Sequence, residues 1–201
     1  NGLNDFTSSQ LKSLDSYTIA YVEEADGISL ETWNTLEATI TDHSGIYETV
    51  VIPETIDGYT VTEIGANAFY GCTTLKELEL AKTITKIGQT AFAECTSLTK
   101  VTIPSKVKTI GKSTFEGCKA LKTITIGKSV TKIGSKAFYG CSKTKTLTIK
   151  SSKLTTKKIG SKAFTKTPKS MTVKVPKKKF KAYKSMFIKR GVNKKAKFRK
   201  S

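Results

Sequence analysis

The sequence predicts a strand-rich α/β solenoid, a stack of 23-residue coils closed at each end. Two observations carry this. An Ile-Gly pair recurs at Ile64–Gly65, Ile87–Gly88, Ile110–Gly111, Ile133–Gly134 and Ile159–Gly160, in steps of 23, 23, 23 and 26. Phe69, Phe92, Phe115, Phe138 and Phe164 keep those steps, and so do Cys72, Cys95, Cys118 and Cys141, whose fifth counterpart is Thr167. A unit this short cannot enclose its own apolar face. It must stack on copies of itself, and each repeated position then becomes a column through a shared core.

The elements follow in chain order. Residues 1–15 are polar and read as a leader. Residues 16–176 read as the solenoid with its N-terminal cap. "SYTIAYVEE" (Ser16–Glu24) alternates like an edge strand. With Trp33 and Leu36 it is expected to form an acidic β cap, because a bare terminal coil exposes core and open strand edges. A partial first unit follows, in which Ile52–Pro53 align with Ile103–Pro104 once five extra residues around Asp57–Gly58–Tyr59 are allowed.

Within each full unit the apolar residues alternate, as in Leu98-x-x-Val101-x-Ile103 and Leu121-x-x-Ile124-x-Ile126. Period two with β-branched residues reads as a strand. Strands stacked about 4.8 Å apart would build an elongated, curved slab. The glycine after each Ile fits a tight turn or a left-handed backbone position. The following Gly-x-x-Ala/Thr-Phe suits a short helical or irregular turn that puts Phe inside. Leu75, Leu98 and Leu121 form a further column that Thr144 breaks, and a three-residue insertion sits near Ser151–Thr156. The last coil should therefore be less regular. "SMTVKVP" places Val173 and Val175 with Leu147 and Ile149.

Residues 177–201 read as a basic C-terminal capping helix and tail. Pro176 can start a helix, Phe180, Tyr183 and Phe187 share one of its faces, and Gly191 suits its end. The helix could simply close the core with a solvated lysine face. It could also hold an anionic surface through Lys177, Lys178, Lys181, Lys184, Lys189 and Arg190. The two roles are compatible.

These units resemble the BspA-like leucine-rich-repeat family of bacterial cell-surface proteins. The likeness lies in the recurring Leu-x-x-Val-x-Ile-Pro, Val-x-x-Ile-Gly, Ala-Phe and Cys, over about Thr39 to Pro176. "IDGYTVTEIGANAFYGC" (Ile56–Cys72) looks like an entry into such an array, and "VPKKKFKAYKSMFIKRG" (Val175–Gly191) like the tails that follow one. The resemblance implies a leucine-rich-repeat right-handed superhelix. It also implies a non-catalytic, secreted or surface-displayed bacterial module for binding or adhesion. The implied partner is a host or bacterial surface protein or an acidic glycan.

Charge sharpens the partner class. The net charge is +19, yet residues 1–63 hold twelve acids and one base, and no acid follows Glu116. Such a basic half attracts polyanions, an anionic cell-wall polymer among them, in a salt-sensitive way. Nucleic acid is disfavoured, since Phe180, Tyr183 and Phe187 fit a buried face better than a base-stacking platform. Alternation turns three columns outward from the strands. They are Glu79, Thr102, Thr125, Thr148; Glu77, Lys100, Thr123, Thr146; and Lys76, Thr99, Lys122, Lys145, continued by Lys174. Either this is a solvated face rich in Thr for strand propensity, or it is a broad docking surface. In the second case the candidate contacts are Lys76, Lys100, Thr102, Lys122, Thr125, Lys145, Thr148 and Lys174.

No enzyme chemistry is expected. One Cys per coil in a single column reads as small, unpaired, buried side chains, which in a secreted chain would fit a reducing habitat. There is no CxxC, and the lone His43 reads as a surface-turn residue, so no metal or cofactor is implied. Glu23–Glu24 lie on the expected cap, and no P-loop or GxGxxG is present. No run approaches the roughly 18 apolar residues of a membrane span. The start at Asn1 is expected to reflect processing or trimming, which leaves any secretion signal out of view. A monomer is expected. The alternative to a binding module is an architectural spacer held on an anionic wall or membrane surface by the basic tail, and a third reading is an accessory domain to an enzyme elsewhere.

Overall fold

The computed structural model describes residues 37–40, 48–56 and 59–201. The expected leader 1–15, the Ser16–Glu24 strand with Glu23–Glu24, Trp33, Leu36, His43 and Asp57–Gly58 lie outside them.

The windings between Glu77 and Ile133 each contribute a strand of three or four residues and then one of two. The described residues begin with β1 (Glu37–Ile40), β2 (Thr49–Val51), β3 (Thr55–Ile56) and β4 (Tyr59–Ile64). The pairs that follow are β5 (Glu77–Glu79) with β6 (Lys86–Ile87), β7 (Lys100–Thr102) with β8 (Thr109–Ile110), and β9 (Thr123–Ile126) with β10 (Lys132–Ile133). After β11 (Thr146–Ile149) and β12 (Thr172–Val175) come helix α1 (Phe180–Lys189) and β13 (Lys197–Lys200). The longer strands form a parallel sheet in the order β13-β12-β11-β9-β7, with β5 paired to β2 beyond its edge. The two-residue strands join β1 and β4 in a second sheet, β1-β4-β6-β8-β10, to which Ile159 adds a bridge at Ile133. This second sheet was not legible from alternation, because a two-residue strand offers no period to read.

The register pairs like with like. Val101 lies beside Ile124 and Ile124 beside Leu147, and on the other sheet Ile64, Ile87, Ile110 and Ile133 are neighbours in turn. All of these are buried. The expected alignment of Ile52 holds: Val51 pairs with Glu79, and Ile52 N–H continues that ladder to Glu79 O at 2.9 Å. The extra residues are taken up by the antiparallel β3–β4 hairpin.

Between the sheets runs the aromatic column. Phe69, Phe92, Phe115, Phe138 and Phe164 stack with centroids 5.0–5.3 Å apart and planes within 9° of parallel. Phe187 of α1 continues the column at 5.3 Å with its ring tilted by 59°. It lies 23 residues after Phe164, so the period that defines the array also places a helical residue in it. Tyr183 meets Phe187 edge-on at 5.8 Å and accepts the Leu154 N–H at 3.0 Å, so its buried hydroxyl is satisfied. Gly191 ends the helix with φ 107°, as its position suggested.

Of the two roles expected for the glycine after each Ile, a tight turn or a left-handed position, the left-handed one is not found. Positive φ falls elsewhere in the turn, at Asn67, Thr90, Ser113, Lys136 and Lys162, and again at Gly71, Glu94, Gly117, Gly140 and Lys166. Those two left-handed residues per winding carry the chain around Phe. Gly88, Gly111, Gly134 and Gly160 are instead sites of close approach. A Cβ on Gly111 would sit 2.5 Å from the Gly88 carbonyl carbon, and one on Gly134 2.4 Å from that of Gly111. Their lack of a side chain lets successive windings touch backbone to backbone.

Candidate ligand-binding surface

The outward positions of the five-stranded sheet form the columns that the ladder dictates. Lys100, Thr123, Thr146, Thr172 and Lys197 lie in one, and Thr102, Thr125, Thr148, Lys174 and Arg199 in the next. Glu77 and Glu79 on β5 begin the series on the acidic side, where Thr99 N–H joins Lys76 O at 3.1 Å. The face thus runs from Glu through Thr to Lys and Arg.

Lys174 was expected to continue the column of Lys76, Thr99, Lys122 and Lys145. It does not: it pairs with Thr148 on one side and Arg199 on the other. The three-residue insertion makes the step across it 26, and 26 residues beyond Lys145 stands Met171, which is buried. The insertion is organised by Ser151, whose buried hydroxyl donates to Val130 O at 2.6 Å and accepts the Lys153 N–H. A 3-10 turn at Thr156–Lys158 follows.

The remaining candidates separate by environment. Lys100, Thr102, Lys122, Lys145 and Lys174 are exposed, while Thr125 and Thr148 are half-buried. Lys76 is ion-paired to Glu48 and so is already partnered. Lys177, Lys178, Lys181, Lys184 and Lys189 are exposed on and before α1. Arg190 differs from them. It is turned toward the fold, with Nη2 donating to Thr156 O at 2.6 Å, so it ties α1 to the insertion and is not a free surface cation.

Two concavities adjoin these residues. One, of about 630 Å³, lies at the amino ends of β11 and β12 between Lys122, Lys143, Lys145, Pro168, Ser170 and Thr172. The other, of about 550 Å³, runs along α1 between Phe180, Lys181, Lys184, Ser185, Ile188 and Lys189. The sequence reading missed Lys143, Ser170, Lys197 and Arg199. The alternation of Lys197-Phe198-Arg199-Lys200 around a half-buried Phe was the available signal for β13.

The thiol column holds no reactive centre. Cys95, Cys118 and Cys141 are buried and free, and their Sγ–H groups donate to Phe69, Phe92 and Phe115 carbonyls at 3.1, 3.1 and 3.3 Å. Burial, with Cys72 nearby, pushes the Cys95 thiol up to about 12, and burial raises Cys118 and Cys141 as well. These are un-ionised at neutral pH and poor nucleophiles. Among the described residues no group of three or more His, Cys, Asp or Glu could hold a metal, and no helix is long and apolar enough to cross a membrane.

Parallel strands, close-approach glycines and one continuous aromatic column define a repeat scaffold. Six copies of the BspA-type leucine-rich-repeat region match residues 60–193, and the chain belongs to that family. The match runs through α1, so the helix lies within the repeat region. The chain is similar to the leucine-rich-repeat protein of T. pallidum, at 28% identity and a TM-score of 0.50, over 61% of this chain and 66% of that one. It shares a fold with the pneumococcal vaccine antigen PcpA, at 16% identity and a TM-score of 0.54, over 92% of this chain and 44% of that one. The chain therefore spans just under two thirds of the first protein's length and under half of the second's. No curated protein matches it. Leucine-rich-repeat proteins bind other proteins and are generally non-catalytic scaffolds.

Proposed function

We propose that this chain is a non-catalytic, secreted or cell-surface bacterial module for binding or adhesion. In this reading it is a stack of 23-residue coils closed at its C-terminal end by α1, and it offers the five-stranded sheet and the adjoining cations to a protein or glycan partner. The observation that carries it is the outward face of that sheet. Five registered strands present Thr, Lys and Arg in columns, and no acid follows Glu116 to neutralise them. A registered, unneutralised array suits docking of an extended partner.

A second reading has its own support. The exposed lysines of α1 flank Phe180 and Ile188 along one concavity, a pattern that suits lying on an anionic wall or membrane surface while the array acts as a spacer. Removing residues 177–201 would not separate the two, because it would also remove Phe187 and β13 from the fold. Charge reversal does. Lys100→Glu with Lys122→Glu and Lys145→Glu should abolish capture of the partner from a panel of matrix proteins, mucin and wall polymers. Lys177→Glu, Lys178→Glu, Lys181→Glu and Lys184→Glu together should leave that capture intact. Loss in the second variant alone would favour the spacer, and binding that survives both variants and high salt would overturn both readings.

A further inference from the structure

The concavity at the amino ends of β11 and β12 differs from the rest of the sheet face. In the earlier windings its inner wall position belongs to the leucine column, Leu75, Leu98 and Leu121. In the last two it belongs to Thr144 and Ser170. Thr144 is buried, and its hydroxyl lies 2.9 Å from Leu121 O and 3.0 Å from Cys141 O. Ser170 is exposed at the opening. Lys143 and Lys145, on either side of the buried Thr144, are both exposed. Lys145 N–H donates to Lys122 O at 2.8 Å, and Thr172 N–H to Lys145 O at 2.8 Å, so Lys122 and Lys145 sit on neighbouring rungs. Rungs are about 4.8 Å apart. None of the three lysines makes an ion pair among the described residues, and the last acid of the chain, Glu116, is already paired with Lys136 at 3.2 Å.

We propose that this groove binds a linear acidic polysaccharide, with Lys122, Lys143 and Lys145 holding anionic groups on successive sugars and Ser170 and Thr172 meeting sugar hydroxyls. The proposal rests on the reading of this sheet as the docking face and names the chemistry that it takes. The groove carries no aromatic ring, so it has nothing on which a nucleic acid base could stack. Its only apolar wall residue is Pro168, so it offers no pocket for the side-chain anchors on which a peptide partner depends. What it does offer is three unneutralised lysines, Lys122 and Lys145 on neighbouring rungs with Lys143 beside Lys145, and a row of hydroxyls, the complement of a chain of charged sugars. Lys, a mobile point charge, serves carboxylate and sulfate alike.

The test is titration calorimetry of the whole chain with heparin and with polygalacturonate, beside neutral dextran and poly-glutamate. Binding to one or both charged glycans is expected, and none to dextran. Lys122→Gln, Lys143→Gln and Lys145→Gln together should weaken it about tenfold or more, on the ordinary worth of three exposed charge contacts. Lys177→Gln, Lys178→Gln and Lys181→Gln remove the same charge elsewhere and should weaken it less than about threefold. Ser170→Trp fills the groove without touching charge, sits at an exposed position, and should also weaken binding about tenfold. Equal losses in the two lysine sets, no loss in Ser170→Trp, or poly-glutamate binding as well as the glycans would each overturn the proposal. If no glycan binds while the Lys100/Lys122/Lys145 reversal still abolishes partner capture, this inference falls and the docking reading stands. If neither effect is seen, both fall.

Discussion

From Phe69 to Cys141 three interior columns repeat one side chain: stacked phenyl rings, Leu75, Leu98 and Leu121, and the thiols of Cys72, Cys95, Cys118 and Cys141. Beyond Cys141 the columns part company. The rings continue through Phe164 to Phe187, across a step of 26 and a change from turn to helix. The leucines give way to Thr144 and Ser170. The thiols give way to Thr167, whose hydroxyl donates to Phe164 O of its own winding at 2.8 Å, where Cys141 reaches back to Phe115. The contrast separates what the stack requires from what it merely uses. The aromatic column and the backbone ladder set the register, and the other columns can change once a polar replacement finds carbonyl partners.

The largest expected effect tests that division directly. Phe115→Ala removes a ring with neighbours above and below, and should cost about 3–5 kcal/mol in urea unfolding. Phe187→Ala, at the end of the column and tilted, should cost clearly less and lower cooperativity only at the C-terminal end. Equal losses would show that the two regions do not differ as described.

A smaller effect distinguishes two kinds of glycine. Gly111→Ala drives a methyl group into the Gly88–Gln89 backbone and should cost about 1–3 kcal/mol by forcing two windings apart. Gly140→Ala meets nothing closer than 3.7 Å and incurs only its left-handed φ, about 1 kcal/mol. Glu94 and Lys166 already adopt that conformation at the same place in their windings. If Gly140→Ala proved the costlier, close approach would not be what the Ile-Gly repeat secures.

Legibility from sequence followed the same line. Phe92, Phe115 and Phe138 could be placed in one column because they are large, apolar and strictly spaced, and the structure puts them there. The two-residue strands at Lys86–Ile87, Thr109–Ile110 and Lys132–Ile133 could not, since pairing of neighbouring windings makes them strands and local pattern does not. Phe187 was read as one face of a helix, which it is, although its 23-residue step from Phe164 also marked it as the next ring. Lys174 was misplaced because a surface column carries no apolar signal to fix its register across an insertion. The groove at Lys143 and Ser170 was legible only as a defect in the leucine column, and a defect does not say what replaces it.

The thiols give an effect that grows with pH. In the unfolded chain a thiol ionises near its ordinary value of 9.0, whereas Cys95 folded is held up to about 12. The folded state therefore favours the protonated form. Its contribution is complete below about pH 9 and is lost as pH rises toward about 12, at about 1.4 kcal/mol per pH unit for each such thiol. Melts taken from pH 8 to 11 should steepen in that direction, and Cys95→Val should flatten the slope. Thr167 at the matching C-terminal position contributes nothing to it. An unchanged slope in Cys95→Val would remove the thiol column from the account.

The smallest effect concerns the ion pairs that bound the two regions. Lys86 and Glu63 lie 2.7 Å apart on the second sheet, in the part of the chain that still holds acids. Lys136 and Glu116 lie 3.2 Å apart at its last acid, and there Lys136 and Lys166 both approach the Tyr139 ring, at 5.3 and 5.1 Å. Glu63→Gln removes a partly exposed pair and should cost about 0.2–0.5 kcal/mol. Glu116→Gln also leaves Lys136 and Lys166 facing one ring without the carboxylate that pairs with Lys136, and should cost about 1 kcal/mol. The gap between the two variants should close in about 1 M salt, where the screening length falls to about 3 Å. A gap that persists in salt would mean that Glu116 acts through packing, and the difference between the acidic and basic regions would then be one of shape as much as of charge.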